Sequence, residues 1–208
     1  MPKGLIRRTL VALGLGAPSL AAAEAAVAGA EEAAARRLTY EESCRRLQER
    51  GLLAAGRFPA IRSRMPRFEV DDAGLDFTRL HVEGHDLGNL TLPRTFFSRC
   101  RFQAMSFRNT DLSESVLCWN DFIEVDFSSA SLARADLRLA LFELTSFRDA
   151  DLRGADLRAA GLELCHFDGA DMDGAIVSRR QLSDLLLTRR QRRLIDVRED
   201  DGPEPDGG

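Results

Sequence analysis

The 208-residue sequence predicts an all-β solenoid, a quadrilateral (four-sided) β-helix of about five coils over residues 75–178 with flanking α-helices as caps. Three patterns predict it. Stepping by five from Phe77 to Leu182, all 22 positions are large and apolar, and nine of the twelve Phe residues fall among them. At 44% apolar composition, chance gives such a run with a probability on the order of 10⁻⁸, so the segment is a repeat. Two places before each large residue the side chain turns small: from Val125 to Ala175 all eleven such positions are Val, Ala, Thr or Cys. A period of five matches neither the helix at 3.6 nor the strand at 2.0. It suits a chain that turns a corner every five residues and points one large and one small side chain inward on each side. Finally, like residues recur at 20, as in Phe107, Phe127, Phe147 and Phe167, or Leu92, Leu112, Leu132 and Leu152. Four sides then make one coil, and β-type spacing of about 4.8 Å between coils stacks equal residues into columns.

The slot between the small and large residues is often Asp, as at Asp111, Asp121, Asp126, Asp136, Asp151, Asp156 and Asp171. The units Ala-Asp-Leu-Arg-Gly at 150–154, Ala-Asp-Leu-Arg-Ala at 155–159 and Ala-Asp-Met-Asp-Gly at 170–174 resemble the pentapeptide-repeat family over roughly half of the chain. The resemblance implies a right-handed β-helix. Leu75, Leu80, His85, Leu90, Met105 and Asn120 stand where small residues belong, so the N-terminal coils are expected to be less regular.

The flanking segments follow in order. Residues 1–38 read as a leader: Lys3, Arg7 and Arg8 precede an uncharged stretch from Thr9 to Ala23, which has the parts of a signal peptide and a twin-arginine-like start. The sequence from Ala21 to Arg37 is strongly helix-forming. The expectation is a cytoplasmic protein, with export as the alternative, and no transmembrane span, which needs about 20 apolar residues. Residues 39–74 read as an N-terminal capping helix and lead-in segment. Thr39-Tyr40-Glu41-Glu42 is a capping-box pattern, Tyr40, Cys44 and Leu47 share one face, and Gly51 is the stop. Residues 179–198 read as a C-terminal capping helix carrying Leu182, Leu185, Leu186, Leu194 and Ile195, and 199–208 as a disordered acidic tail.

Charge narrows the function classes. Residues 75–178 hold 10 basic and 17 acidic groups, while 179–198 hold 7 and 2. That distribution argues against direct nucleic-acid binding. Cys44, Cys100, Cys118 and Cys165 are widely spaced with no C-x-x-C pair, which argues against a disulfide framework or a zinc site. Cys100 and Cys165 fall in inward slots, whereas Cys118 faces outward and is open to reaction. His81, His85 and His166 form no Ser-His-Asp or Cys-His arrangement, and no phosphate-binding G-x-x-x-x-G-K-[ST] occurs. The repeated Asp residues read as local backbone acceptors rather than paired catalytic acids. The expectation is therefore no enzyme, cofactor or metal.

Two surfaces stand out. Arg179, Arg180, Arg189, Arg190, Arg192 and Arg193 form a candidate basic contact, balanced against a solvated helix face. Trp119, Ile123, Leu139, Leu141, Leu144 and Leu164 form a candidate interaction patch, because outward slots of a solenoid need no apolar residue. Either the helix from Tyr40 or another protein covers it. The function expected is protein–protein interaction or scaffolding, and a homodimer through a terminal cap is one arrangement left open. The resemblance implies an alternative, since some family members mimic duplex DNA and protect type II topoisomerase (gyrase) from poisons.

Overall fold

In the computed structural model residues 36–66, 74–183 and 185–199 are described. The leader up to residue 35 and the tail beyond 199 lie outside them. Helix α1 (Tyr40–Glu49) comes first, then strands β1 (Asp76–Thr78), β2 (His81–Glu83), β3 (Phe96–Ser98), β4 (Arg101–Gln103), β5 (Asp121–Ile123), β6 (Leu141–Glu143), β7 (Gly161–Glu163) and β8 (Ile176–Ser178). A 3₁₀ helix (Arg179–Ser183), a short α2 (Gln191–Leu194) and β9 (Asp196–Arg198) complete the described chain.

Among the described residues the strand pairings are parallel and step by 20 residues, so residues 76–198 form a four-sided β-solenoid. The first side climbs from Asp76 through Phe96, Val116, Asp136, Asp156 and Ile176 to Asp196. The second side is the five-stranded sheet β2-β4-β5-β6-β7. The third runs from Asp86 to His166 and the fourth from Thr91 to Asp171 through single bridges. Every fifth residue from Arg79 to Gly174 turns a corner with φ between +50° and +72°, the left-handed region.

The interior is a set of side-chain ladders. Phe107, Phe127, Phe147 and Phe167 stack with centroid separations of 5.2, 5.5 and 5.1 Å, while Phe102, Phe122 and Phe142 form a second stack at 5.3 and 5.0 Å. Several polar residues in the small inward slots donate to the carbonyl 23 residues earlier. Thr110 Oγ1 reaches Leu87 O at 2.7 Å, Asn120 Nδ2 reaches Phe97 O at 3.1 Å and Thr145 Oγ1 reaches Phe122 O at 3.0 Å. Buried backbone acceptors must be satisfied, and these side chains do it without opening the core to water. Asn120 thus fits a slot that its size alone would deny it.

At the N-terminal end the Thr39 hydroxyl accepts from Glu42 N–H, and the Glu42 carboxylate accepts from Thr39 N–H at 2.8 Å. Cys44 and Leu47 of α1 are buried on the first coil, around a small apolar cavity that Leu47, Leu52, Phe77, Leu87 and Leu92 help to line.

The C-terminal end differs from the sequence reading. Residues 179–198 are not one helix but a 3₁₀ turn, a four-residue helix and a strand, and β9 adds one more rung to the first side. The solenoid therefore runs to about six turns, not five. Two glutamines make this possible. The Gln181 amide donates to Leu157 O and Ala160 O at 2.9 and 2.7 Å, and the Gln191 amide to Phe167 O and Ala170 O at 2.7 and 3.1 Å. Each replaces the backbone N–H that a further coil would supply. Leu185, 2% exposed, plugs the core beside them.

Phe127 is fully buried between Phe107 and Phe147. Phe127→Ala should lower unfolding stability by ~3–5 kcal/mol, read from denaturant titration, because neighbouring coils cannot collapse into the gap. An unchanged midpoint would show that the column does not hold the core.

Candidate interaction surface

Two sections of chain decide which outward side chains stay bare. α1 does not reach the patch. Its segment is tied to the start of the third and fourth sides: Leu38 N–H donates to Asn89 O at 2.7 Å, Thr91 N–H to Ser43 Oγ at 2.8 Å, and Arg37 Nε to Asn109 O at 2.8 Å. Of the two covers left open for the patch, the helix from Tyr40 is tied elsewhere. Helix α1 closes the end of the solenoid because its buried face matches the open core there.

The lead-in segment covers a different outward cluster. Met65 packs on Phe96, Val116 and Cys118 of the first side. Arg62, 4% exposed, pins this segment: Nη1 donates to Leu75 O at 2.8 Å and Nη2 to the Asp76 carboxylate at 2.6 Å. Cys118 does face outward from its strand, but it is buried, and burial together with the neighbouring Asp136 charge pushes its thiol up to about 12. The reading of Cys118 as a reactive thiol is overturned, since a thiol that stays protonated is a poor nucleophile. Sequence reasoning missed Arg62 because nothing in its spacing marks it as buried.

The second side has no such cover among the described residues. Trp119 is 59% exposed, Leu139 45%, Leu141 38%, Leu144 47% and Leu164 63%, and Ile123 is half-buried. Trp119 and Leu139 form the corner between the first and second sides, Leu144 and Leu164 the corner between the second and third, with Ile123 and Leu141 on the strands between. Leu141 leans over Gly161, where a Cβ would lie 2.9 Å from Leu141 Cδ1. Trp119, Leu139, Leu144 and Leu164 have φ of +59°, +59°, +50° and +53°. Large side chains are uncommon in that region, which Gly and Asn enter at lower cost.

The charged groups elsewhere on the solenoid are mostly paired within it. Asp136, Asp151 and Asp156 each accept from the N–H and the guanidinium of the Arg two residues on, Arg138, Arg153 and Arg158. Asp126 pairs with Arg108, and Asp168 with Arg148. Glu114 accepts from Arg94 Nε at 2.7 Å and from Arg134, and these guanidiniums hold its carboxyl below the usual carboxylate range.

The basic residues of the C-terminal segment are spread over three elements. Arg179 and Arg180 belong to the 3₁₀ helix, Arg189 and Arg190 to the turn before α2, and Arg192 and Arg193 to α2. Arg179 pairs with Glu199 at 3.2 Å, and Arg192 donates to Leu182 O and Leu185 O. All six are exposed, but they do not share one helix face because the segment is not one helix. His81 and His166 are exposed, and His85 Nδ1 lies 2.9 Å from Glu83 O, so none meets a nucleophile. Among the described residues no His, Cys, Asp or Glu cluster could hold a metal ion, and no helix is long and apolar enough to cross a membrane.

Comparison with known proteins agrees with this geometry. The family model described as pentapeptide repeats matches in eight copies, over residues 100–138, 121–158 and 145–179. Residues 100–179 are pentapeptide repeats. No curated protein matches the chain. Among solved structures, the pentapeptide-repeat protein Rfr23 from the cyanobacterium Cyanothece 51142 is 20% identical, covering 48% of this chain and 85% of its own, with a TM-score of 0.27. QnrB1, a plasmid-mediated fluoroquinolone resistance protein, is 16% identical over 50% of this chain and 72% of its own, with a TM-score of 0.30. A pentapeptide-repeat protein from the Arabidopsis thaliana thylakoid lumen is 22% identical over 57% and 69%, with a TM-score of 0.25. Scores this low transfer no function to this chain.

The Glu114 cluster sets a pH dependence. A carboxylate whose folded pKa is depressed adds stability above its unfolded value, near 4.3, and loses it as pH falls through the folded value. Glu114→Gln should therefore melt below the wild type at neutral pH, and the gap should close on acidification past the usual carboxylate range. A gap independent of pH would show that the two guanidiniums do not act through the Glu114 charge.

Proposed function

We propose that this chain is a non-enzymatic interaction protein whose working surface is the second side of the solenoid, from Trp119 to Leu164. One observation carries this reading. Four large apolar residues, Trp119, Leu139, Leu144 and Leu164, are exposed at left-handed corners, where the fold itself favours Gly or Asn. Neither the core nor the backbone gains from them, so the reading assigns their benefit to a bound protein. Exposed apolar patches of this kind mark contact sites. Four unpaired thiols favour the cytoplasm over an oxidising compartment.

The alternative of a DNA-mimicking topoisomerase protector is weakened by the ion pairs. A mimic needs long rows of free carboxylates, and here Asp136, Asp151, Asp156, Asp126 and Asp168 are each matched by an arginine, which leaves Glu143 stacked on Glu163 as a short row on the second side. The basic residues of the C-terminal segment are assigned no contact.

Two measurements test the interaction reading together. Leu139→Asn with Leu164→Asn should keep or raise the melting temperature, since each change relieves about 1 kcal/mol of backbone strain. A photo-crosslinking residue placed at Leu139 in the native cell should give a discrete protein adduct, and one placed at Arg148 on the third side should not. Destabilisation by the asparagines, or equal labelling from both positions, would overturn the reading.

A further inference from the structure

The carboxylates inside the apolar patch narrow what can sit on it. Across the second side, the strand slots nearer the third side hold Ile123, Glu143 and Glu163 in register, one per coil. Leu144 and Leu164 turn the corner beside them, and Leu141 and Leu139 stand on the other flank. The two glutamates therefore run between two apolar columns. They are partners in a parallel ladder, whose strands lie about 4.8 Å apart, and like charges set side by side at that spacing repel. Nothing in the described chain relieves the repulsion. Among the described residues, neither Glu143 nor Glu163 makes an ion pair. In the coils from Trp119 to Leu164, the second side and its corners carry no Arg, Lys or His. The arginines of these coils on the adjoining sides are engaged: Arg138 with Asp136, Arg158 with Asp156 and Arg148 with Asp168. Asp121 has Arg101 in register, whereas Glu143 has only Ile123 and Glu163.

The complement of two stacked carboxylates between leucine columns is a cation between apolar side chains. Resting on the second side as the interaction surface, we propose that its occupant is a protein segment carrying an arginine flanked by apolar residues. The guanidinium lies across Glu143 and Glu163, and its neighbours lie on the leucines to either side. Arginine suits the place better than lysine, because its planar fork can donate to two carboxylates at once. Its aliphatic stem also packs on leucine without burying the charge. Binding then relieves a repulsion that the free chain bears, so charge complementarity adds to the apolar area removed from water. A nucleic acid or an anionic lipid surface meets the same carboxylates as like charge, which disfavours both as occupants.

Trp119 is the single tryptophan of the chain and reports on the patch directly. A random peptide library displayed on phage and selected on the full chain should enrich peptides with an arginine between apolar residues. Synthetic copies of them should shift Trp119 emission to shorter wavelength on binding. Glu143→Gln with Glu163→Gln should bind these peptides about tenfold more weakly. The same variant should keep or raise the melting temperature, since the change removes a repulsion. Glu143→Arg with Glu163→Arg should reject them and accept the peptide with glutamate in place of its arginine. Enriched peptides that lack arginine, or equal binding by the glutamine variant, overturn the arginine proposal. So does a library that yields no peptide moving Trp119; a shift of Trp119 emission with the chain's own concentration would then assign the side to a second copy. In each of these cases a discrete protein adduct from the Leu139 crosslink leaves the interaction reading standing. A crosslink without a discrete adduct overturns that reading and this proposal with it.

Discussion

A chain that closes a square in twenty residues must bend by about a right angle at every fifth, and one left-handed residue per corner is how it does so. Corner residues such as Asn109, Ser129 and Asp149 donate their N–H to the carbonyl nineteen residues on, at 3.0, 2.8 and 2.9 Å. Those bonds hold each coil above the next at the spacing of a parallel ladder. Because the spacing is fixed, the phenyl rings of successive coils meet face to face, and the interior has room for one large and one small side chain per side. The corner conformation therefore sets the backbone pairing, the pairing sets the core, and the core dictates the five-residue period.

The same register governs the exterior. An Asp at one end of a side sits two residues from its Arg and one coil from the next Asp, so Arg138 lies 2.8 Å from Asp136 and 3.8 Å from Asp156. Exposed pairs of this kind contribute little each, but they settle which charges remain available to a partner. On the second side the same two slots hold Arg101 and Gln103, Asp121 and Ile123, Leu141 and Glu143, or Gly161 and Glu163, so no Asp–Arg pair of this kind forms there. Core and corners thus specify the fold on four equivalent sides, and sequence variation in the outward slots makes one side different.

The repeat was legible because its signal is redundant: twenty-two apolar positions and stacked columns all state the same geometry, and each coil repeats it. The patch was legible for the same reason, since a strict period tells which slots face out. What escaped were interactions made once. Gln181 and Gln191 act through amides aimed at carbonyls more than twenty residues back, and a sequence read for helical periodicity sees only leucines among arginines. Cys118 was assigned the correct direction and the wrong environment, because its cover, Met65, arrives from a segment outside the repeat. The sixth turn was hidden likewise: β9 continues the 20-residue step without the five-residue pattern.

The lattice of five and twenty also limits how such a chain can change length. Inserting a single five-residue unit in the middle of the repeat would keep every downstream residue in a valid slot while rotating the downstream part by a quarter turn. Leu144 and Leu164 would then leave the corner they share with the second side, although the core would still be filled by large and small residues in order. Only gains or losses of twenty preserve which residues look in the same direction. Genetic drift in repeat number is thus tolerated by the core in steps of five and by the surface in steps of twenty, and the difference between those two steps is a measure of how strongly a particular side has been kept for use.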